Sequence, residues 1–508
     1  MKLALAQINP TTADVPANLR VLETMVRRSA GGVDLIVTSA WALSGWHPLD
    51  LARAATFQEA QASALDRLAG VCPEVPVVVG HEEDGAGAVS VMVEGECLLT
   101  VSGGCQPQTF RAHGWLVALA LSWTDLEQLP AADLTVLCVP EPFRMERPAR
   151  RLERLGTVAR RREEPVAWAN LVGGMGEQVF DGGSLVVLPN GELGAHGPRF
   201  QEGLLTVDLD SPTPGHVEQS EDIEMLEQAL VLGLADFARK SGFTDAVLGL
   251  SGGIDSAVVA ALAARALGPD SVTALIMPTR FTRDGSTEAA REVAQNLGIR
   301  SVMLPIEKLR LVYAEALETL FAGTEPGTAE ENVQARIRAA LIMAHANKFG
   351  SMPLATGNRS ELAVGYCTLY GDLAGALAVI GDVPKTVIYR LAEHLNHDER
   401  IIPDFVIERP PSAELRPKQT DQDDLPPYEV LDEILALHLD EGMDAEQIVE
   451  AGFERARVAD VLRRVRRSDF KRRQGPPVLR VCSAEGAWPR LPIAARIEPT
   501  LPDEEVTA

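Results

Sequence analysis

The sequence predicts an α/β protein built in two halves, and three observations carry that prediction. Short apolar runs at residues 3–8, 35–37, 77–79, 116–121, 134–139 and 185–188, with helical spacing at 18–30, form the pattern of an α/β sandwich. The stretch Asp208-Leu-Asp-Ser-Pro-Thr-Pro-Gly-His216 gathers chain breakers and closes that half near residue 210. From about residue 220 a helix leads into strands at 246–250, 272–277 and 301–304 with helices between them, the order of a doubly wound parallel sheet.

Length and charge narrow the function. A chain of 508 residues exceeds one core and implies two or three domains. No signal-peptide-like apolar region follows Met1 and Lys2, and no run reaches the length of a membrane span, so a cytoplasmic protein without a membrane partner is expected. A net charge of −25 speaks against nucleic acid, which is bound through positive potential. Cys72, Cys97, Cys105, Cys138, Cys367 and Cys482 show no C-x-x-C spacing, which argues against a zinc site or a disulfide framework.

The most informative segment is Ala246-Val-Leu-Gly-Leu-Ser-Gly-Gly-Ile-Asp-Ser256. An apolar strand, a Ser-Gly-Gly turn and a helix start bring free backbone N–H groups and the positive end of a helix dipole to one place, which suits a polyphosphate. A Walker A loop would carry a lysine here, but this loop carries Asp255. A carboxylate beside a triphosphate needs a cation between them, so Asp255 reads as a magnesium ligand with ATP bound. The plainer alternative is a helix capped by Asp255 and Ser256. The string resembles the signature of the ATP pyrophosphatases, of the adenine-nucleotide α-hydrolase type, which adenylate a carboxylate or carbonyl and release pyrophosphate.

Further motifs follow in order. They are Glu330-Glu-Asn-Val-Gln-Ala-Arg336, Thr356-Gly-Asn-Arg-Ser-Glu361, Leu369-Tyr-Gly-Asp372, Asp382-Val-Pro-Lys385, Pro410-Pro-Ser-Ala-Glu-Leu-Arg416, Asp424-Leu-Pro-Pro-Tyr428 and Lys471-Arg-Arg-Gln474. Together they resemble the synthetase domain of NAD synthetases over about residues 220–480, leaving 481–508 as a tail. The resemblance implies a ligase of NAD biosynthesis in which ATP activates the nicotinate carboxylate of deamido-NAD and ammonia displaces AMP. It implies that Gly249, Leu250, Ser251, Gly252, Gly253, Ile254, Asp255, Ser256, Thr356, Lys385 and Ser412 bind ATP. Asn332, Glu361 and Lys471 would meet deamido-NAD, and Asp255 and Glu361 would hold Mg2+. Asp255, Glu361 and Lys385 are then the catalytic set. Asn332 could instead cap a helix running from 332 to 349, and Arg336 and Arg338 divide evenly between substrate phosphate and surface salt bridges. Asp372 lies in the pocket or orients its loop.

The first half, residues 1–210, resembles the nitrilase-type αββα amidase domain of glutamine-dependent NAD synthetases. Met1-Lys-Leu-Ala-Leu-Ala-Gln-Ile-Asn-Pro10, Asn170-Leu-Val-Gly-Gly174 and Phe180-Asp-Gly-Gly-Ser184 carry that likeness. The family hydrolyses an amide with a Glu base, a Lys oxyanion donor and a Cys nucleophile. Here Ala40 stands at the base position and Ser122 at the nucleophile, and Val101-Ser-Gly-Gly-Cys-Gln-Pro-Gln-Thr-Phe110 holds no lysine. Cys138 follows a strand but aligns with a later segment. The expectation is an inactive amidase half and a synthetase fed by free ammonia or a separate ammonia source. The alternatives are glutamine hydrolysis by divergent residues, or a non-catalytic nucleotide-binding scaffold. The resemblance also implies a homo-oligomer.

Overall fold

The computed structural model describes residues 1–508 except 30, 73, 104–107, 213–214, 216–219, 485–487 and 489–508, and omits the side chain of residue 284. The chain forms two compact units, Met1–Asp236 and Phe237–Ala508.

The first unit holds β1 (Lys2–Gln7), β2 (Leu35–Thr38), β3 (Val77–Glu83), β4 (Ala86–Val93), β5 (Glu96–Ser102), β6 (Gln108–Ala112), β7 (Trp115–Ala120), β8 (Leu134–Leu137) and β9 (Val166–Trp168). It continues through β10 (Val172–Met175), β11 (Gln178–Asp181), β12 (Leu185–Val187), β13 (Leu193–His196) and β14 (Gly203–Asp208). Two six-stranded sheets result, ordered β14-β1-β2-β3-β4-β5 and β13-β12-β9-β8-β7-β6, with β10 and β11 pairing separately. The helices are α1 (Val15–Ser29), α2 (Ala55–Ala69) and α3 (Arg147–Arg162).

Alternation along β7 explains the layering. Val117 and Leu119 join the main core with α1 and α2, whereas Ala118 and Ala120 pack with Leu155 and Ala159 of α3. Side chains at alternate positions leave a strand on opposite faces, so one strand serves both cores. This is the αββα arrangement expected from the sequence. The helix expected at 18–30 begins three residues earlier, at Val15, and residue 30 lies outside the described residues.

Helix α4 (Asp222–Ser241) runs across the border between the units. The second unit has β15 (Ala246–Gly249), α5 (Ile254–Leu267), β16 (Val272–Ile276), α6 (Asp284–Asn296), β17 (Arg300–Met303), α7 (Glu307–Leu317) and α8 (Thr328–Phe349). Then come β18 (Met352–Ala355), α9 (Arg359–Val364), β19 (Leu377–Ala378) and α10 (Lys385–Leu395), followed by short helices. The sheet runs β17-β16-β15-β18-β19 with every neighbouring pair parallel. Strand order reverses at β15, so a crevice opens at its carboxyl end.

Parallel strands covered on both faces need apolar helices, and α5 is buried at every position from Ser256 to Ala264. The expected tail does not begin at 481, because Val481, Cys482 and Ser483 all donate backbone N–H groups to Oδ2 of Asp382, at 2.7, 2.8 and 2.9 Å. Residues 489–508 lie outside the described residues.

Candidate functional site

The site is built at the end of β15. Gly252 has φ +79°, and a Cβ there would stand 2.0 Å from the carbonyl oxygen of Ser286, so only glycine closes this turn. Ser256 Oγ accepts from the Ser251 N–H at 3.2 Å and donates to the Gly253 carbonyl at 3.0 Å. Ser251 Oγ accepts from the Gly253 N–H at 3.2 Å. The two serines therefore brace the loop. No side chain caps α5, whose first residue is Ile254, so the helix-cap reading of Asp255 and Ser256 does not hold.

A cavity of about 510 Å³ opens over this loop. Gly249, Leu250, Ser251, Gly253, Ile254, Asp255, Ser256, Asn332, Thr356, Glu361, Lys385, Ser412 and Lys471 all line it. Gly252 alone of the expected loop does not, because it faces Ser286 instead.

Asp255, Glu361 and Lys385 come together from α5, α9 and the first residue of α10. Lys385 Nζ lies 2.5 Å from Asp255 Oδ2 and 3.7 Å from Glu361 Oε1, with the Tyr428 ring centroid 5.3 Å away. The lysine is 1 % exposed. Burial works against its charge, but the Asp255 and Glu361 carboxylates outweigh that and raise its pKa above the ordinary lysine value. Burial together with the charge of Asp255 pushes the Glu361 carboxyl up to about 8. Once Glu361 loses its proton, two carboxylates share one ammonium and the group suits a cation.

Asn358 was not singled out from the sequence, yet it ties this group together. Its Nδ2 donates to Asp255 Oδ1 at 3.0 Å, its Oδ1 accepts from the Glu361 N–H at 3.0 Å, and Glu361 Oε2 accepts its own N–H at 3.3 Å. The last two bonds are a capping box, and the Asn358-x-x-Glu361 spacing was the available signal.

Other expected residues are placed differently. Helix α8 begins at Thr328, not Asn332, with Glu330 closing on the Gly327 N–H at 2.7 Å. Asn332 is thus no cap; its Oδ1 accepts from Thr368 Oγ1 at 2.7 Å. Lys471 Nζ donates to the carbonyls of Gly365 and Cys367 at 2.8 and 2.7 Å and so holds a loop at the cavity rim. Ser412 Oγ donates to the Gln419 carbonyl at 2.7 Å. Asp372 accepts from the Thr368 N–H at 2.7 Å, which favours its loop-orienting role. Arg336 and Arg338 form no salt bridge among the described residues; Arg336 is exposed and donates to the Leu369 carbonyl at 3.2 Å.

In the first unit Ala40 is 3 % exposed and its N–H donates to the Cys138 carbonyl at 2.8 Å, so no carboxylate occupies the base position. Ser122 Oγ lies 2.8 Å from Thr124 Oγ1 and accepts from the Asp125 N–H at 3.1 Å, while the neighbouring Asp125 carboxylate accepts the backbone N–H groups of Leu121 and Ser122 at 3.0 and 2.9 Å. Cys138 is fully buried at the end of β8, and burial pushes its thiol up to about 12, which suits a packing residue. The segment expected to lack a lysine lies partly outside the described residues, at 104–107.

Comparison with known proteins agrees with this geometry. A family model described as NAD synthase matches residues 226–475. A Synechocystis protein named glutamine-dependent NAD(+) synthetase is 37 % identical, covering 98 % of this chain and 99 % of its own. One of the same name from Thermotoga maritima is 36 % identical over 99 % of this chain and 100 % of its own. The glutamine-dependent NAD+ synthetase of Acinetobacter baumannii, solved with ADP, superposes with TM-score 0.76 at 31 % identity, covering 93 % of this chain and 94 % of that one. The one from Cytophaga hutchinsonii shares the fold at TM-score 0.82 and 20 % identity, over 97 % and 98 %. These names support the glutamine reading better than the ammonia reading drawn from the sequence. A ligase, not a scaffold, is what the likeness indicates, and the chain belongs to the NAD synthetase family.

Proposed function

We propose that the second unit adenylates the nicotinate carboxylate of deamido-NAD with ATP and releases pyrophosphate, after which ammonia displaces AMP to give NAD. The observation that carries this is the convergence of Asp255, Glu361 and Lys385 at the mouth of the loop 249–256. A carboxylate is a poor acyl donor; joined to AMP it gains a phosphate ester as leaving group. The loop N–H groups and the α5 dipole cradle the polyphosphate, and Lys385 adds a local positive charge within an acidic chain.

Asp255 and Glu361 fit a Mg2+ ion, since both are hard oxygen donors already facing a cation, the Lys385 ammonium. No cluster of three or more metal-ligating side chains occurs among the described residues, so phosphate and water oxygens would complete the coordination. Bound there, Mg2+ would neutralise the departing pyrophosphate.

The full-length relatives favour glutamine as the nitrogen donor. A second reading, direct use of ammonia, is favoured by one specific observation: among the described residues Ala40 stands at the family's base position, Ser122 at its nucleophile position, and Cys138 is a buried thiol. The deciding experiment measures NAD formation from deamido-NAD, ATP and Mg2+ with either glutamine or ammonium as sole nitrogen source. Turnover with ammonium alone selects the second reading, comparable turnover with glutamine selects the first, and no turnover with either sinks the synthetase assignment.

Self-association is also proposed. Helix α7 has no buried residue, and Leu309, Leu311, Val312 and Tyr313 are 42, 51, 61 and 49 % exposed. An eleven-residue helix is marginal in water unless an apolar face is covered. A second copy of this chain is the cover we favour.

A further inference from the structure

The cations around the synthetase cavity are almost all committed. Lys385 holds Asp255, Arg409 lies 3.2 Å from Glu414, Arg416 lies 3.0 Å from Asp424, and Arg464 lies 2.8 Å from Asp460. Lys471 donates to two carbonyls. Arg338 differs from all of them. Its Nε donates to the Met277 carbonyl at 3.2 Å, and among the described residues its two terminal nitrogens make no hydrogen bond and no carboxylate lies within 4.0 Å of it.

Its position makes that isolation informative. Arg338 lies on α8, which closes over the end of β15 so tightly that a Cβ on Gly249 would stand 3.3 Å from Ile342 of the same helix. The guanidinium hangs from the carbonyl just beyond β16 and lines the cavity together with the loop 249–256. Burial lowers its pKa to about 10, which Glu414 offsets in part. An unpaired cation kept in low dielectric costs free energy in the empty protein, a cost that an anionic ligand offsets.

We propose that Arg338 is a phosphate-binding residue, whose two free terminal nitrogens donate in parallel to the oxygens of a nucleotide phosphate in this cavity. The fork of a guanidinium matches two phosphate oxygens, which a lysine cannot reproduce. Two sources carry that chemistry, the polyphosphate of ATP and the diphosphate bridge of deamido-NAD. The inference rests on the synthetase reading but is tested apart from turnover.

The test uses full-length protein carrying Arg338→Gln or Arg338→Lys. Binding of Mg2+-ATP and of deamido-NAD is measured separately by calorimetry, and ligand-free melting temperature alongside. We expect Arg338→Gln to weaken one nucleotide at least tenfold and the other less than twofold, and Arg338→Lys to recover only part of the loss. Weakened ATP binding identifies the polyphosphate; weakened deamido-NAD binding identifies the diphosphate bridge. The ligand-free melting temperature should hold or rise in Arg338→Gln, since an unpaired charge is removed. Unchanged affinity for both nucleotides overturns the proposal. So does a fall in ligand-free melting temperature with equal losses for both nucleotides, which marks a structural arginine. A wild type that binds ATP but forms no NAD would sink the synthetase reading while the ATP arm still reports on Arg338.

Discussion

Lys385 is fully enclosed yet charged, and it stays so because Asp255 and Glu361 face it. Removing either carboxylate leaves the buried charge only partly compensated and removes a proposed metal donor. Asp255→Asn should therefore abolish NAD formation, read as at least a thousandfold fall in turnover, while far-UV circular dichroism stays native. The first unit has its own buried ion group. Arg151 lies 2.6 Å from Glu141 and 2.7 Å from Asp181 and is 4 % exposed. Breaking such a group costs about 3–5 kcal/mol, so Arg151→Ala should lower the urea midpoint of this unit accordingly. His196 lies nearby, and burial, aided by the charge of Arg199, lowers its pKa to about 4 from an ordinary value near 6.5. The folded state therefore favours neutral His196. Its contribution is present above pH 6.5 and is lost as pH falls toward 4. His196→Gln should flatten the loss of stability over that window, measured by denaturation at stepped pH.

At the scale of elements, periodicity served strands better than helices. The strand expected at 116–121 is β7, and 35–37 lies within β2. Helix α5 is apolar on nearly all sides because it is buried from Ser256 to Ala264, so the sequence located it from the loop motif. The short strands β9, β10, β11, β13 and β19, of two to four residues, carried too little pattern to be found, and the longer β4, β5, β6 and β14 were missed as well. The start of α8 was missed because its cap is Gly327, with no side chain to announce it. Helix α7 carries apolar residues that lie open. Leu311→Glu with Val312→Glu should halve the molecular mass in sedimentation equilibrium while ligand-free melting stays within a few degrees. A mass unchanged by those substitutions would remove α7 from any interface.

For the whole molecule the nitrogen source is the open choice, and the first unit decides it. If Ala40, Ser122 and Cys138 mean what their surroundings suggest, Cys138→Ala should leave ammonium-dependent turnover unchanged and glutamine should support none. Glutamine-dependent turnover lost on that substitution would make Cys138 the nucleophile despite its burial. The sequence by itself determined the α/β build and the Ser-Gly-Gly turn and, through the family resemblance, pointed to Asp255, Glu361, Lys385 and Thr356, which line one cavity. Each of these follows from local pattern, from an ordered set of motifs, or from a turn that only glycine can close. Tertiary structure alone decided that Lys385 stands between the two carboxylates, that Asn358 joins them, and that Lys471 and Ser412 hold loops. It also decided that Arg338 faces the cavity while Arg336 faces outward. Those outcomes depend on contacts between residues up to 130 positions apart, such as Asp255 and Lys385, and no local spacing encodes the distance between side chains on separate elements.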